Sequence, residues 1–341
     1  MKKLFVLFIV SSLNTSLFTA CLNAQRNEPF TTYTFSALAM SPVNVLEATV
    51  TNGSITMTGS SNSEAVVEMY VSGNSPAIRS RKWSDEEIKQ ELERTYNIEV
   101  KVDGEKILIV AKQKSNSRNS QFGVYLKITA PAQINSNFQT TNGSIQISDL
   151  SGSHVLQSTN GSLKVENTSG NISGRTTNGS ITVTNSNDGI DLRTTNGSVT
   201  ARNCNGEIIL TTTNGGITAK DIKGELKLNS NGGMKLEGIS GNLEAKISRV
   251  RNTGSDNGSD MIVTMESVGD YVKLSTDRDN VNLTLPVSKG YDLDVKANNI
   301  KTSGLNYFSG SKEKRNLNGK VSNGGTKIEI STSEQANIVF N

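Results

Sequence analysis

The tetrapeptide Asn-Gly-(Ser/Gly)-apolar returns along this chain at a fixed interval, with its Asn at Asn142, Asn160, Asn178, Asn196 and Asn214. Each step is 18 residues, and a further copy, one residue short, starts at Asn231. A second glycine follows about half a unit later, at Gly152, Gly170, Gly189, Gly206, Gly224 and Gly241, so each unit reads as two short extended arms joined by turns. With Thr141, Thr159, Thr177, Thr195 and Thr213 as position one, position five holds Ile145, Leu163, Ile181, Val199, Ile217 and, in the short unit, Met234. Position seven holds Ile147, Val165, Val183, Ala201, Ala219 and Leu236, and the intervening position six is polar throughout. Alternation with period two marks a strand with one buried face. Position fourteen continues the apolar set with His154, Ile172, Ile190, Ile208, Leu226 and Leu243.

A unit this short holds neither a helix pair nor a strand and helix, and no apolar stripe of period 3.6 runs through it. The pattern predicts an all-β fold, a parallel β-solenoid with one 18-residue coil per unit and like positions stacked about 4.8 Å apart. Asn-Gly is expected to supply positive φ at the corner. Stacked Asn amides are expected to bond to one another as a turn ladder through Asn142, Asn160, Asn178, Asn196, Asn214 and Asn231.

Thr51 to Ile55 (TNGSI) opens a similar coil before an insertion. Within it Ser84-Asp85-Glu86-Glu87 forms a capping box and Ile88, Leu92 and Tyr96 share a helical face, which predicts one short helix over 84–96. Strands at 97–102 and 106–112 flank the hairpin signal Asp103-Gly104, and Pro131 closes a strand of alternating Val124, Leu126 and Ile128. Further strands are expected at 261–266, 271–275, 281–285, 291–297 and 326–331, with a polar loop at 309–316 and a turn-rich break from Asn252 to Asp260.

Residues 1–24 read as a secretory signal, with Lys2 and Lys3 ahead of the apolar run Leu4 to Val10. That run is too short for a span of about 20 residues, and no later apolar stretch approaches that length. Two processing routes compete. Phe18-Thr19-Ala20-Cys21 is similar to a lipobox that would leave Cys21 lipidated and membrane-attached, whereas cleavage after Ala24 would leave Gln25 first. The organisation expected is a signal at 1–24, a linker at 25–40, an N-terminal β region at 41–131, regular repeats at 132–250, and C-terminal coils with a cap at 251–341.

The export signal, the NGSI-type units, the strand ending Ile128-Thr129-Ala130-Pro131, the stretch Asn282-Leu283-Thr284-Leu285-Pro286 and the closing run from Asn316 to Thr332 together resemble the bacterial putative-adhesin domain family, over most of residues 40–340. The resemblance implies a single-stranded right-handed β-helix in the cell envelope, related to the heads of autotransporter adhesins, and carries no catalytic residues.

Composition narrows the chemistry. With 35 Lys+Arg against 32 Asp+Glu the net charge of +3 gives no field that points to nucleic acid. One His and two Cys leave too few ligands for a zinc framework or a disulfide scaffold, and no cofactor is implied. His154 would have to serve any Ser-His-Asp arrangement, yet its position is otherwise Ile or Leu, which favours a coil-filling role. Cys204 at position ten reads as a small core thiol. Asp188 and Asp191 are the close acidic pair of the regular units, and Asp188, just before Gly189, reads as a turn residue. Asp256 to Asp260 could offer oxygen ligands but matches no calcium-loop spacing. Arg175 and Arg193 share position seventeen and could meet an anionic glycan, and Thr176/Thr177, Thr194/Thr195 and Thr212/Thr213 could form hydroxyl ladders. The expectation is a non-enzymatic exported β-solenoid that presents its side faces to a glycan, matrix or protein ligand. An exported carbohydrate-active enzyme is the alternative, and a structural envelope spacer the third reading.

Overall fold

A computed structural model describes residues 28–40, 43–115, 120–248, 260–287 and 289–341. The expected signal at 1–24, both expected processing sites with Cys21, and the stretch 249–259 lie outside the described residues. The chain is all-β, with a mixed sheet in which parallel pairs predominate. Its contacts divide it into two compact units, one ending at Gly161 and the other starting at Ser162.

In the first unit, Val45–Asn52 pairs in parallel with Asn135–Asn142, matching Asn52 to Asn142, and Ile55–Ser60 pairs in parallel with Ile145–Ser148, matching Ile55 to Ile145. The TNGSI opening is thus in register with the first regular repeat despite the long insertion. Asn135–Asn142 pairs in turn with His154–Asn160 at the 18-residue offset. The insertion adds two antiparallel features. Tyr96–Asp103 folds back on Lys106–Gln113 across a turn where Gly104 takes φ +63°. Phe122–Pro131 pairs antiparallel with Ala65–Gly73.

The helix Asp85–Thr95 starts where the capping box predicts: Ser84 Oγ accepts from the Glu87 amide at 3.2 Å, and the Glu87 carboxylate accepts from the Ser84 amide at 2.9 Å. It buries Ile88 and Leu92 and ends as Tyr96 turns extended. It is not the one helix expected: one-turn helices also occupy Ala37–Met40 and Pro76–Ser80, the latter capped by Ser75 with Pro at its start. Helices of one turn have no apolar period to read. The expected linker at 25–40 also contributes a strand, Thr31–Phe35, antiparallel to Ala65–Gly73. Its alternating TTYTF was too short and polar to stand out, and it forms because Ala65–Gly73 offers it a free edge.

In the second unit the repeat sets the register directly. Ile181, Val199, Ile217, Met234, Met261 and Val281 are successive parallel partners, as are Ile172, Ile190, Ile208, Leu226, Leu243 and Val272. These columns are almost wholly buried. At about 1.5–3 kcal/mol for each large apolar side chain removed from water, they form the core. The short unit loses its residue at the corner: Thr212 pairs with Ser230 and Ile217 with Met234, so 213–216 are opposed by 231–233 alone.

Beyond 260 spatial order departs from chain order. The last strands, Thr326–Thr332 and Gln335–Phe340, pair directly with Met261–Thr276 and Val281–Leu285. They also pair, on their other sides, with Tyr291–Lys296 and Asn299–Ser303. The end of the chain is therefore inserted between segments that precede it. The stretch 309–316, expected as a polar loop, forms most of a hairpin in which Phe308–Lys312 runs antiparallel to Asn316–Val321. Its outward residues are polar because the hairpin is largely exposed, which hid the strand.

Candidate functional site

Stacking repeats places like residues one above another, so the chemistry lies in columns. At the Asn-Gly corner Asn142 Nδ2 donates to Asn52 Oδ1 at 2.7 Å and Asn160 Nδ2 to Asn142 Oδ1 at 2.8 Å. In the second unit Asn196 donates to Asn178 and Asn214 to Asn196, both at 2.7 Å. Asn231 does not join the ladder. The corner it occupies is one residue short, and among the described residues no hydrogen bond links its amide to Asn214.

The corner glycines correct a further expectation. Gly143, Gly161, Gly179, Gly197 and Gly215 do not take positive φ. They are needed for close approach: a Cβ on Gly197 would stand 2.1 Å from the Gly179 carbonyl oxygen, because successive corners pack backbone on backbone. Positive φ falls instead at position nine, on Asp149, Asn167, Asn185, Asn203 and Asp221, with φ between 50° and 57°, and at position twelve, on Gly152, Gly170, Asp188, Gly206 and Gly224. Asn and Asp tolerate that region best among residues with a side chain. At position nine a second, unforeseen amide ladder runs from Asn203 to Asn185 and from Asn185 to Asn167, each step 3.1 Å. The 18-residue recurrence of Asn or Asp at position nine was the signal for it.

The residues singled out for chemistry do not come together. His154 is fully buried beside Ser136, with Nδ1 3.0 Å from the serine Oγ and Nε2 without a partner among the described residues. Burial pushes its pKa down to about 4, so the ring is neutral near pH 7. Cys204 is buried, its Sγ 3.2 Å from the Arg202 carbonyl oxygen, and burial pushes the thiol pKa up. Asp188 takes φ +80° at the turn where neighbouring repeats carry Gly170 and Gly206, and its carboxylate accepts from the Gly170 amide at 3.0 Å. Asp191 is taken by Arg193 in a two-point pair, Nε to Oδ1 and Nη2 to Oδ2, both 2.9 Å. Arg175 and Arg193 are register partners, and both are exposed. Of the Asp256–Asp260 stretch only Asp260 is described, and its Oδ1 accepts from Asn280 at 3.1 Å.

The paired threonine ladders are also corrected. Thr176, Thr194 and Thr212 point into the core while Thr177, Thr195 and Thr213 face water, as strand alternation requires. The inward hydroxyls of Thr194 and Thr212 donate to the carbonyls of Gly179 and Gly197 at 2.8 and 2.7 Å, fastening each arm to the corner below. The half-exposed threonine column of the second unit is instead Thr182, Thr200 and Thr218.

Ion pairs line the outer faces two residues apart on single strands, Lys164 with Glu166 and Lys235 with Glu237 at 2.8 Å and Lys227 with Glu225 at 2.6 Å. Exposed pairs of this kind contribute little to stability. Among the described residues no group of three His, Cys, Asp or Glu side chains is placed to hold a metal ion, and no helix is long and apolar enough to cross a membrane.

No protein-family model matches the chain, and no curated protein matches it. A solved structure of a putative cell adhesion protein from Clostridium sporogenes aligns over 91% of this chain and 98% of its own, with 13% identity and a TM-score of 0.20.

Proposed function

We propose that the chain is a non-enzymatic exported protein of the cell envelope, an adhesin-type β-solenoid, right-handed as its family resemblance implies, that presents its side faces to a glycan, matrix or protein ligand. The observation that carries this reading is the parallel register at 18-residue steps, which sets one surface group above another over consecutive levels, as in Thr182, Thr200 and Thr218. A face of repeated groups suits many weak contacts made together, where affinity comes from effective concentration rather than from one deep pocket. The four side chains best equipped for catalysis are spent structurally: His154 and Cys204 in the core, Asp188 at a turn and Asp191 on Arg193.

The test is protease accessibility on intact producing cells, followed by glycan and matrix-protein arrays with the purified chain. Saturable binding that falls when Thr200→Lys breaks the threonine column supports the reading. Hydrolysis or cleavage of an arrayed glycan overturns it, as does protection from protease that persists after the outer envelope is permeabilised, which would place the chain inside the cell.

A further inference from the structure

We propose that the chain self-associates through two unlike surfaces, the hairpin Phe308–Val321 of one copy seating on the edge strand Tyr96–Asp103 of the next with Tyr307 as its anchor. The inference does not depend on the envelope reading. It starts from two unpaired sheet edges. Among the described residues Tyr96–Asp103 pairs only with Lys106–Gln113, and Phe308–Lys312 pairs only with Asn316–Val321. Each therefore has a row of backbone N–H and C=O groups free to receive another strand.

The side chains beside these edges are complementary. An open groove of about 640 Å³ runs along the first edge, with Phe30, Leu92, Tyr96 and Ile98 as its apolar lining. Glu93 and Glu99 line it as well, with Lys89 as the one cation. Over Asp85–Asp103, seven carboxylates face three cations. The second edge carries the opposite pattern: five cations and one carboxylate lie within 299–321. At its tip Lys314 and Arg315 are exposed and make no ion pair among the described residues. Where the hairpin begins, Tyr307 is 86% exposed and held at φ +54°.

A large aromatic presented almost entirely to water at a strained backbone position is costly unless it is used, and tyrosine is among the residues that anchor interfaces. The groove offers it the half-exposed apolar side chains of Phe30 and Ile98, and its acidic surround matches the cationic tip. Because the two surfaces differ, the contact is heterologous: each copy bound leaves one of each surface free, so association continues into chains unless the geometry closes a ring. The charge match sets the salt dependence, since screening shortens from about 10 Å at 0.1 M salt to about 3 Å at 1 M.

Sedimentation velocity of the full chain over a range of concentrations tests this. Mass should rise with concentration at about 0.1 M salt and fall back toward the monomer at about 1 M. Tyr307→Ala should weaken association by at least about tenfold, as should Lys314→Glu with Arg315→Glu. Each variant is checked for an unchanged circular dichroism spectrum. Mixing the Lys314→Glu, Arg315→Glu chain with a Glu93→Lys, Glu99→Lys chain should restore association that neither shows alone. A wild-type chain that stays monomeric at every concentration overturns the proposal. So does association that survives Tyr307→Ala and high salt, or a charge-reversed mixture that stays monomeric.

Discussion

Ser136 and His154 are register partners in one buried column, their side chains joined Oγ to Nδ1 at 3.0 Å, in a position that the later repeats fill with Ile or Leu. A polar pair here occupies the buried positions that later repeats give to apolar side chains. One of its polar atoms, His154 Nε2, has no partner among the described residues, so charging the ring there is unfavourable.

Acid should therefore unfold the protein partly through His154. In the unfolded chain the imidazole takes a proton near its ordinary pKa of 6.5, and in the folded chain only near 4. The unfolded state binds more protons between those values, so the contribution is fully present above pH 6.5 and is lost as pH falls through that window, to an extent of about 3 kcal/mol. Urea melts of wild type and His154→Leu from pH 7 down to 4 should diverge in slope, with the variant nearly free of this loss. Parallel curves would show that the ring is not held neutral.

Cys204 should react slowly with a thiol reagent in the native protein and rapidly after denaturation. It is 1% exposed and its pKa is raised by burial, so both access and thiolate fraction are low. Native labelling as fast as that of a free thiol would place Cys204 outside the core.

Two glycines should separate crowding from backbone strain. Gly197→Ala puts a Cβ 2.1 Å from the Gly179 carbonyl oxygen at an ordinary φ, and the stacked corners cannot part without breaking neighbouring bonds. The loss should be at least about 3 kcal/mol. Gly104→Ala has nothing within 4 Å but must hold φ +63°, for a cost of about 1–2 kcal/mol. Thermal or urea melts give the order directly, and a milder effect at Gly197 would mean the corners are not in backbone contact.

A whole repeat should be removable in register. Thr176 is the partner of Thr194, so deleting 177–194 joins Thr176 to Thr195 and leaves every inward column aligned. The product should fold with a β-rich circular dichroism spectrum and a cooperative melt. Deleting 177–185 alone brings a corner against the opposite turn and should unfold or aggregate the chain. Equal behaviour of the two deletions would contradict the nearest-neighbour stacking of the repeats.

Much of this arrangement was legible. The inward columns at positions five, seven and fourteen followed from alternation, the helix from Ser84 and Glu87, and the hairpin turn from Asp103-Gly104. That Asp188 is a turn residue followed from the glycine beside it. That Thr176 faces the core and Thr177 the solvent was legible too, because Ile172 at position fourteen of the same strand fixes the phase, but reading both threonines as one outward ladder overlooked it. The hairpin at 308–321 and the strand at 31–35 escaped because their residues are polar or few, and each becomes a strand only when a neighbouring edge accepts its backbone bonds.

The sequence by itself determined the repeat, its 18-residue step, the faces that turn inward and the chemistry recurring at each corner, since these depend on local spacing and on strand alternation. Tertiary structure alone decided which strands meet beyond 260, where Gln335–Phe340 lies between Val281–Leu285 and Asn299–Ser303. It also decided that the Asn-Gly glycines serve close approach while position nine carries the left-handed turn. The physical reason is common to both. Apolar burial is non-directional and alternating strands are nearly interchangeable as neighbours, so chain order and corner geometry are fixed by which backbones can pack together and satisfy their hydrogen bonds.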